Sequence, residues 1–132
     1  MLYSGRKKLV HGQLLLIGEV AGSVDPLTAE GIRPSIKSAY IAAQVISQAF
    51  AKQDMAWLKQ YDIEFHKQIG RDFQYARILS YFLNTHLQRV LPLIASKRSI
   101  DAFMELFNGK RTYREKVGLK KIAQMLRRSW FG

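Results

Sequence analysis

The apolar positions of this chain fall first into one compact run and then into helical periods. Leu14, Leu15, Leu16 and Ile17 are contiguous, bounded by His11-Gly12 before and Gly18 after, which predicts a short buried strand over "QLLLIG". A polar and glycine-containing loop runs from Gly18 to Gly31, and a helix is predicted from about Ile32 to Phe50. Pro34 fits its first turn, where a missing N–H costs no intrahelical bond. This helix is apolar on two sides. Ile36, Ala39, Ala43, Ile46 and Phe50 make one stripe, and Ala42, Val45 and Ala49 make another. A surface helix needs one stripe, so two imply a helix between layers.

Asp54 is placed to cap a second helix, and the period through Leu58, Tyr61, Phe65, Ile69, Phe73, Ala76, Leu79 and Leu83 carries it to about Leu87, with Gly70 marking a bend or close contact. Leu91-Pro92 breaks the pattern. Ser99 is the expected cap of a short helix that reaches Phe107 and stops at Asn108-Gly109. "TYRE", residues 112 to 115, has the spacing of a capping box and opens a last helical region to about Trp130. No internal repeat or low-complexity tract appears. The pattern as a whole predicts a mainly α chain with a short strand near its N-terminus.

Length and charge narrow this picture. At 132 residues the chain is one domain's worth, enough to bury about 60 to 70 per cent of its unfolded surface. Hydrophobic residues at 48% and charged residues at 23% are ordinary globular values. With no cysteine, thiolate metal sites, disulfides and cysteine nucleophiles are excluded. The four-residue run at 14 to 17 is far short of the roughly 20 apolar residues that span a bilayer, and no secretory h-region precedes it. A cytoplasmic location is expected, with peripheral contact on the inner face of a membrane.

That contact is suggested by where the +11 net charge sits. Residues 1 to 85 hold 10 basic and 7 acidic residues, whereas residues 86 to 132 hold 11 basic and 3 acidic. Such a field attracts any polyanion. In the last region Leu119, Ile122, Ala123, Leu126 and Trp130 share one face and Lys120, Lys121, Gln124, Arg127 and Arg128 the other, a pattern that suits either an anionic membrane or docking on the protein's own core.

The stretch "GEVAGSVDPLTAEGI" carries the candidate chemistry. A carboxylate at Glu19, placed where the strand ends, offers only acceptors and suits the hydroxyls of a polyol or ribose. The free N–H groups around Gly31, Ile32 and Arg33 leave a helix start with partial positive charge, and Gly31 lets a flat ligand approach the backbone. Taken singly, Glu19 as a turn cap, Asp25-Pro26 as a turn and Glu30 as a helix-start acid fit an ordinary structural role.

In combination, "LLLIGEVAGSVDPLTAEGIRPSIKSAYIAAQVI" resembles the second flavin-binding motif of FAD-dependent oxidoreductases with the hydroxybenzoate-hydroxylase-type fold, and among them the geranylgeranyl reductase family. The late "AFMELFNGKRTYREKV" resembles that family's C-terminal end. The resemblance is strong over residues 14 to 46 and loose elsewhere. It implies the C-terminal part of an α/β, Rossmann-type FAD-binding oxidoreductase, with residues 1–50 closing the FAD-binding domain and 51–132 forming a helical C-terminal region. It further implies that Glu19, following Gly18, binds the ribityl hydroxyls of FAD. Gly31 and Ile32 would face the pyrimidine end of the flavin through their N–H groups. Gly22, Asp25, Pro26, Leu27, Thr28 and Ala29 would shape the loop beside the ring. NADPH or ferredoxin would be the electron donor and an isoprenoid or prenylated lipid the substrate. Phe73, Tyr75, Tyr81 and Phe82 would be candidates for the wall of the substrate cavity.

Two positions depart from the family pattern. Glu19 replaces the commoner Asp, and Ala29 stands where Gly is usual, which suits a position that does not need a positive φ. The G-x-G-x-x-G fingerprint that seats the pyrophosphate is nowhere in the chain, so the chain is expected to be the C-terminal part of a longer flavoenzyme, as a fragment, a truncated reading frame or half of a split protein, missing its N-terminal FAD-binding half and inactive alone. His11, His66 and His86 make no metal-ligand pair, and the serines lie in no nucleophile elbow, so no metal or catalytic residue is assigned. Alternatives are a related FAD monooxygenase, halogenase or carotenoid cyclase. A non-catalytic basic helical module for membrane or nucleic acid is a second one, though nucleic acid is disfavoured because no helix is distinctive in presenting base-reading side chains at its start.

Overall fold

A computed structural model describes residues 8–88 and 95–116. The chain is mainly helical, with one two-stranded sheet near its start. It divides at Gln74/Tyr75 into two compact units.

In the first unit, β1 (Val10–His11) pairs antiparallel with β2 (Leu14–Leu15), Val10 opposite Leu15. Gly12 turns the hairpin at φ +62°, a left-handed conformation that glycine adopts without a Cβ penalty. The predicted strand is therefore shorter and wetter than its apolar run implied. Leu14 is 61% exposed, because among the described residues of this unit the run pairs with a single neighbouring strand. The inner side is anchored: Leu9 N–H donates to Asp62 Oδ1 at 2.6 Å, and Leu16 N–H to the Leu9 carbonyl at 2.9 Å.

Helix α1 spans Ile32–Ala51, within a residue of its predicted end. Its two apolar stripes have different fates. Ile41, Ala42, Val45 and Ala49 are buried in the core with Leu9, Val10, Leu58, Tyr61, Phe65, Ile69 and Phe73. Ile32, Ile36, Tyr40 and Phe50 on the other side remain exposed, Ile32 at 78%.

The reversal after α1 is built locally. Gln53 takes φ +52°, and Asp54 caps the next segment by accepting from Ala56 N–H at 2.8 Å, as expected of an acid at that position. The segment proceeds through a 3-10 turn (Met55–Lys59), α2 (Gln60–Phe65), a π-helical turn (His66–Gly70) and α3 (Arg71–Thr85). Gly70 closes the π turn, the physical form of the irregularity it marks in the sequence.

Beyond the unit boundary, α4 spans Lys97–Phe107 and α5 Tyr113–Lys116. Ser96, not Ser99, is the N-cap of α4, accepting from the Ser99 N–H at 3.3 Å. Ser99 lies inside the first turn, because the helix starts three residues earlier than the apolar period suggested. Gly109, at φ +67°, follows the end of α4. The capping box is present: Thr112 N–H donates to Glu115 Oε2 at 3.1 Å and Glu115 N–H to Thr112 Oγ1 at 3.4 Å. The amphipathic stretch expected from 119 to 130 lies outside the described residues.

Candidate functional site

The loop between β2 and α1 is pinned at three points, each by a short polar side chain. Gly18, at φ +67°, opens a 3-10 turn (Gly18–Ala21), and its N–H donates to the Ser38 Oγ at 2.8 Å. Ser38 is fully buried and donates in turn to the Ser35 carbonyl at 2.8 Å, so the strand end is fastened to the second turn of α1. Gly22, in the left-handed region at φ +74°, ends the turn with its N–H on the Glu19 carbonyl at 2.8 Å, while the Ser23 hydroxyl donates to the Gly18 carbonyl.

Asp25 organises the middle of the loop. It is buried, and its Oδ1 accepts from Leu27 N–H at 2.7 Å and Thr28 N–H at 3.1 Å, an Asx turn that Pro26 preorganises by fixing its own φ. Asp25 N–H reaches the Glu30 carbonyl at 2.8 Å and Ala29 N–H the Asp25 carbonyl at 3.0 Å, closing the loop on itself. Ala29 adopts φ +57°. The expectation that this position avoids positive φ is therefore corrected: alanine occupies a conformation that suits glycine, at a cost of about 1 to 2 kcal/mol.

At the start of α1, Glu30 Oε1 accepts from Arg33 N–H at 2.7 Å and its Oε2 lies 3.6 Å from the Arg33 guanidinium. Of the three N–H groups expected to face a ligand, Arg33's is thus already taken, and the Glu30 charge offsets part of the helix-start potential. Among the described residues nothing accepts from Gly31 or Ile32 N–H. Gly31 has an ordinary φ of −124°, so it is not glycine for backbone freedom. A Cβ there would meet Val24 Cγ2 at 3.2 Å, which makes close packing the reason.

The fold thus brings the Gly18–Ala21 turn, with the exposed Glu19 side chain, onto the first turns of the helix that Gly31 opens. Leu27 and Thr28 are half-buried between them in sequence, and Thr28 Oγ1 accepts from Glu30 N–H at 3.3 Å. The aromatic residues of α3 differ in burial, each within its own unit. Phe73 belongs to the first unit's core, Phe82 is buried, and Tyr81 is 72% exposed. Among the described residues no group of three or more His, Asp or Glu side chains is placed to hold a metal.

Ser38 is the residue that sequence reading undervalued. It appears there only as part of the small-residue run "SAYIAA". A serine three residues after Ser35, on the face that buries Pro34, Ile41 and Ala42, is the signal that was available. Beside it sits Tyr61, fully buried, whose hydroxyl burial pushes up to about 12 against a smaller opposing pull from Ser38.

No protein-family model matches the chain, and no solved structure matches it. Curated proteins do. Over 81 residues, 60% of this chain and 16% of the relative, it is 35% identical to conditioned medium factor receptor 1 of Dictyostelium discoideum. Over 113 residues, 84% of this chain and 28% of the relative, it is 27% identical to digeranylgeranylglycerophospholipid reductase 2 of Methanopyrus kandleri. Over 63 residues, 46% of this chain and 16% of the relative, it is 36% identical to digeranylgeranylglycerophospholipid reductase 2 of Methanothermobacter thermautotrophicus. The chain spans less than a third of the length of these relatives, and its similarity to the reductases is that of a geranylgeranyl reductase-like region.

Proposed function

We propose that this chain is the flavin-loop and C-terminal helical portion of an FAD-dependent reductase acting on the double bonds of an isoprenoid chain. The observation that carries the reading is the fastening of the Glu19 turn to the helix that Gly31 opens, through Gly18 N–H and Ser38 Oγ at 2.8 Å. The named similarity to two digeranylgeranylglycerophospholipid reductases supports it. No observation favours a monooxygenase, halogenase, carotenoid cyclase or non-catalytic module over it.

The residues present fit such a cofactor in part. Glu19 is exposed with an acceptor-only side chain, and the Gly31 and Ile32 N–H groups have no acceptor among the described residues, whereas Arg33 N–H is occupied by Glu30. FAD, when bound, supplies a reversible two-electron carrier. Glu19 would then accept from ribityl hydroxyls, and Gly31 and Ile32 would donate to the electron-rich edge of the ring. Asp25 would keep the loop in register by holding Leu27 and Thr28 N–H. The exposed Ile32, Ile36, Tyr40 and Phe50 stripe of α1 would be covered by the remainder of the FAD-binding domain, in keeping with the much greater length of the relatives. An N-terminal half carrying G-x-G-x-x-G would seat the pyrophosphate, NADPH or ferredoxin would supply electrons, and a prenylated lipid would be the substrate.

The test is FAD titration of the polypeptide that joins this chain to such a glycine-rich half. Tight binding is expected, with Glu19→Ala weakening it about tenfold or more, the loss of one charge-assisted hydrogen-bond set. A folded protein that takes up no flavin at saturating FAD would refute the reading, and unchanged affinity in Glu19→Ala would remove Glu19 from it.

A further inference from the structure

Helix α4 (Lys97–Phe107) turns one side inward and leaves an apolar stripe outside. Leu106 is buried, with Ala102 partly covered on the same side. Ile100 is 53% exposed, Phe103 43%, Met104 48% and Phe107 45%. These four recur at i, i+3, i+4 and i+7, which puts them on one face. The rings of Phe103 and Phe107 lie 6.5 Å apart and 24° from parallel, so the face is a continuous aromatic and aliphatic strip.

Charge surrounds the strip at both ends. Exposed Lys97 and Arg98 open the helix, and exposed Lys110 and Arg111 follow the Gly109 turn. Acids are fewer: Asp101 is exposed at the flank, and Glu105 lies 3.6 Å from Arg111. Residues 95 to 116 hold six Lys or Arg against three Asp or Glu, and residues 117 to 132 add four more Lys or Arg and no acid.

We propose that this face of α4 rests on an anionic lipid surface, with Ile100, Phe103, Met104 and Phe107 in the boundary between headgroups and acyl chains and Lys97, Arg98, Lys110 and Arg111 on the lipid phosphates. At 11 residues the helix is about half of what spans a bilayer, so it lies in the interface plane. A second copy of the chain would also cover the apolar strip. It would, however, bring Lys97 and Arg98 against Lys110 and Arg111 in an antiparallel pair, or like ends together in a parallel one, so cations would meet cations in either case. An anionic surface turns the same cations into attraction, each contributing near the surface within a Debye length.

The chain contains no cysteine, so Met104→Cys provides a unique site for an environment-sensitive fluorophore. Flotation with vesicles of phosphatidylcholine alone, or of phosphatidylcholine with phosphatidylglycerol, reads binding. The full chain is expected to float with the anionic vesicles, about tenfold less with the neutral ones, and the Met104 label is expected to shift to the blue on anionic vesicles. Phe103→Ser with Phe107→Ser changes no charge and two exposed positions, and is expected to lower anionic binding about tenfold. Undiminished binding in that double variant would assign attraction to charge alone and overturn the proposal. So would equal flotation with neutral vesicles, an unshifted label, or a blue shift without vesicles that grows with protein concentration, the mark of a second copy on this face.

Discussion

Gly18 N–H donates to the Ser38 hydroxyl across 20 residues of chain, and that single bond holds the end of the β-hairpin on the second turn of α1. Ser38 is fully buried and Gly18 half-buried, so replacing Ser38 leaves a partly buried amide donor without its acceptor. Ser38→Ala is expected to cost about 1 to 3 kcal/mol in urea-induced unfolding. Ser38→Thr keeps the hydroxyl and should recover part of that loss, which a cavity or propensity effect would not do.

Ala29 at φ +57° predicts the opposite sign. Ala29→Gly removes the Cβ from a left-handed conformation and is expected to raise stability by about 1 kcal/mol, seen as a higher thermal midpoint. Ala29→Val, branched at Cβ, is expected to lower it by more.

Gly31 and Val24 form a coupled pair. A Cβ at Gly31 would come within 3.2 Å of Val24 Cγ2, so Gly31→Ala is expected to cost about 1 kcal/mol unless Val24 yields. Val24→Ala should relieve Gly31→Ala, and a double-mutant cycle is expected to show an interaction energy of at least about 0.5 kcal/mol. Additive effects would mean that the two side chains do not meet.

Tyr61 gives a pH dependence. Its hydroxyl is raised from 10.0 to about 12 by burial, so between these values the folded state holds a proton that the unfolded chain has released. Stability from this group is therefore complete below pH 10 and falls as pH rises toward 12. By pH 12 the loss is about 2 kcal/mol. Tyr61→Phe should remove that slope while leaving stability at pH 7 within about 1.5 kcal/mol, as followed by denaturation at fixed pH.

Local signals in the sequence anticipated local structure well. Asp54 caps where an acid before an apolar period should, Thr112 and Glu115 exchange the two bonds of a capping box, and α1 runs where its period and Pro34 place it. Each of these depends on residues within four positions of one another. Glu30 on Arg33 N–H is equally local and was legible as a helix-start acid, though not that it would occupy one of the three N–H groups assigned to a ligand.

What the sequence by itself determined is this helical order, the glycine-bearing loop and the skew of positive charge toward the C-terminal third, because periodicity, capping and charge are properties of neighbours along the chain. The tertiary structure alone decided which of α1's two apolar stripes is buried, that Ser38 rather than another small residue receives Gly18, and that Ala29 bears positive φ. Those outcomes depend on what lies across space: Asp62 on Leu9, Val24 under Gly31, and a hairpin too narrow to cover both the run at Leu14 and the outer face of α1. Burial is a competition among distant partners, and its winner is set only when the chain has closed on itself.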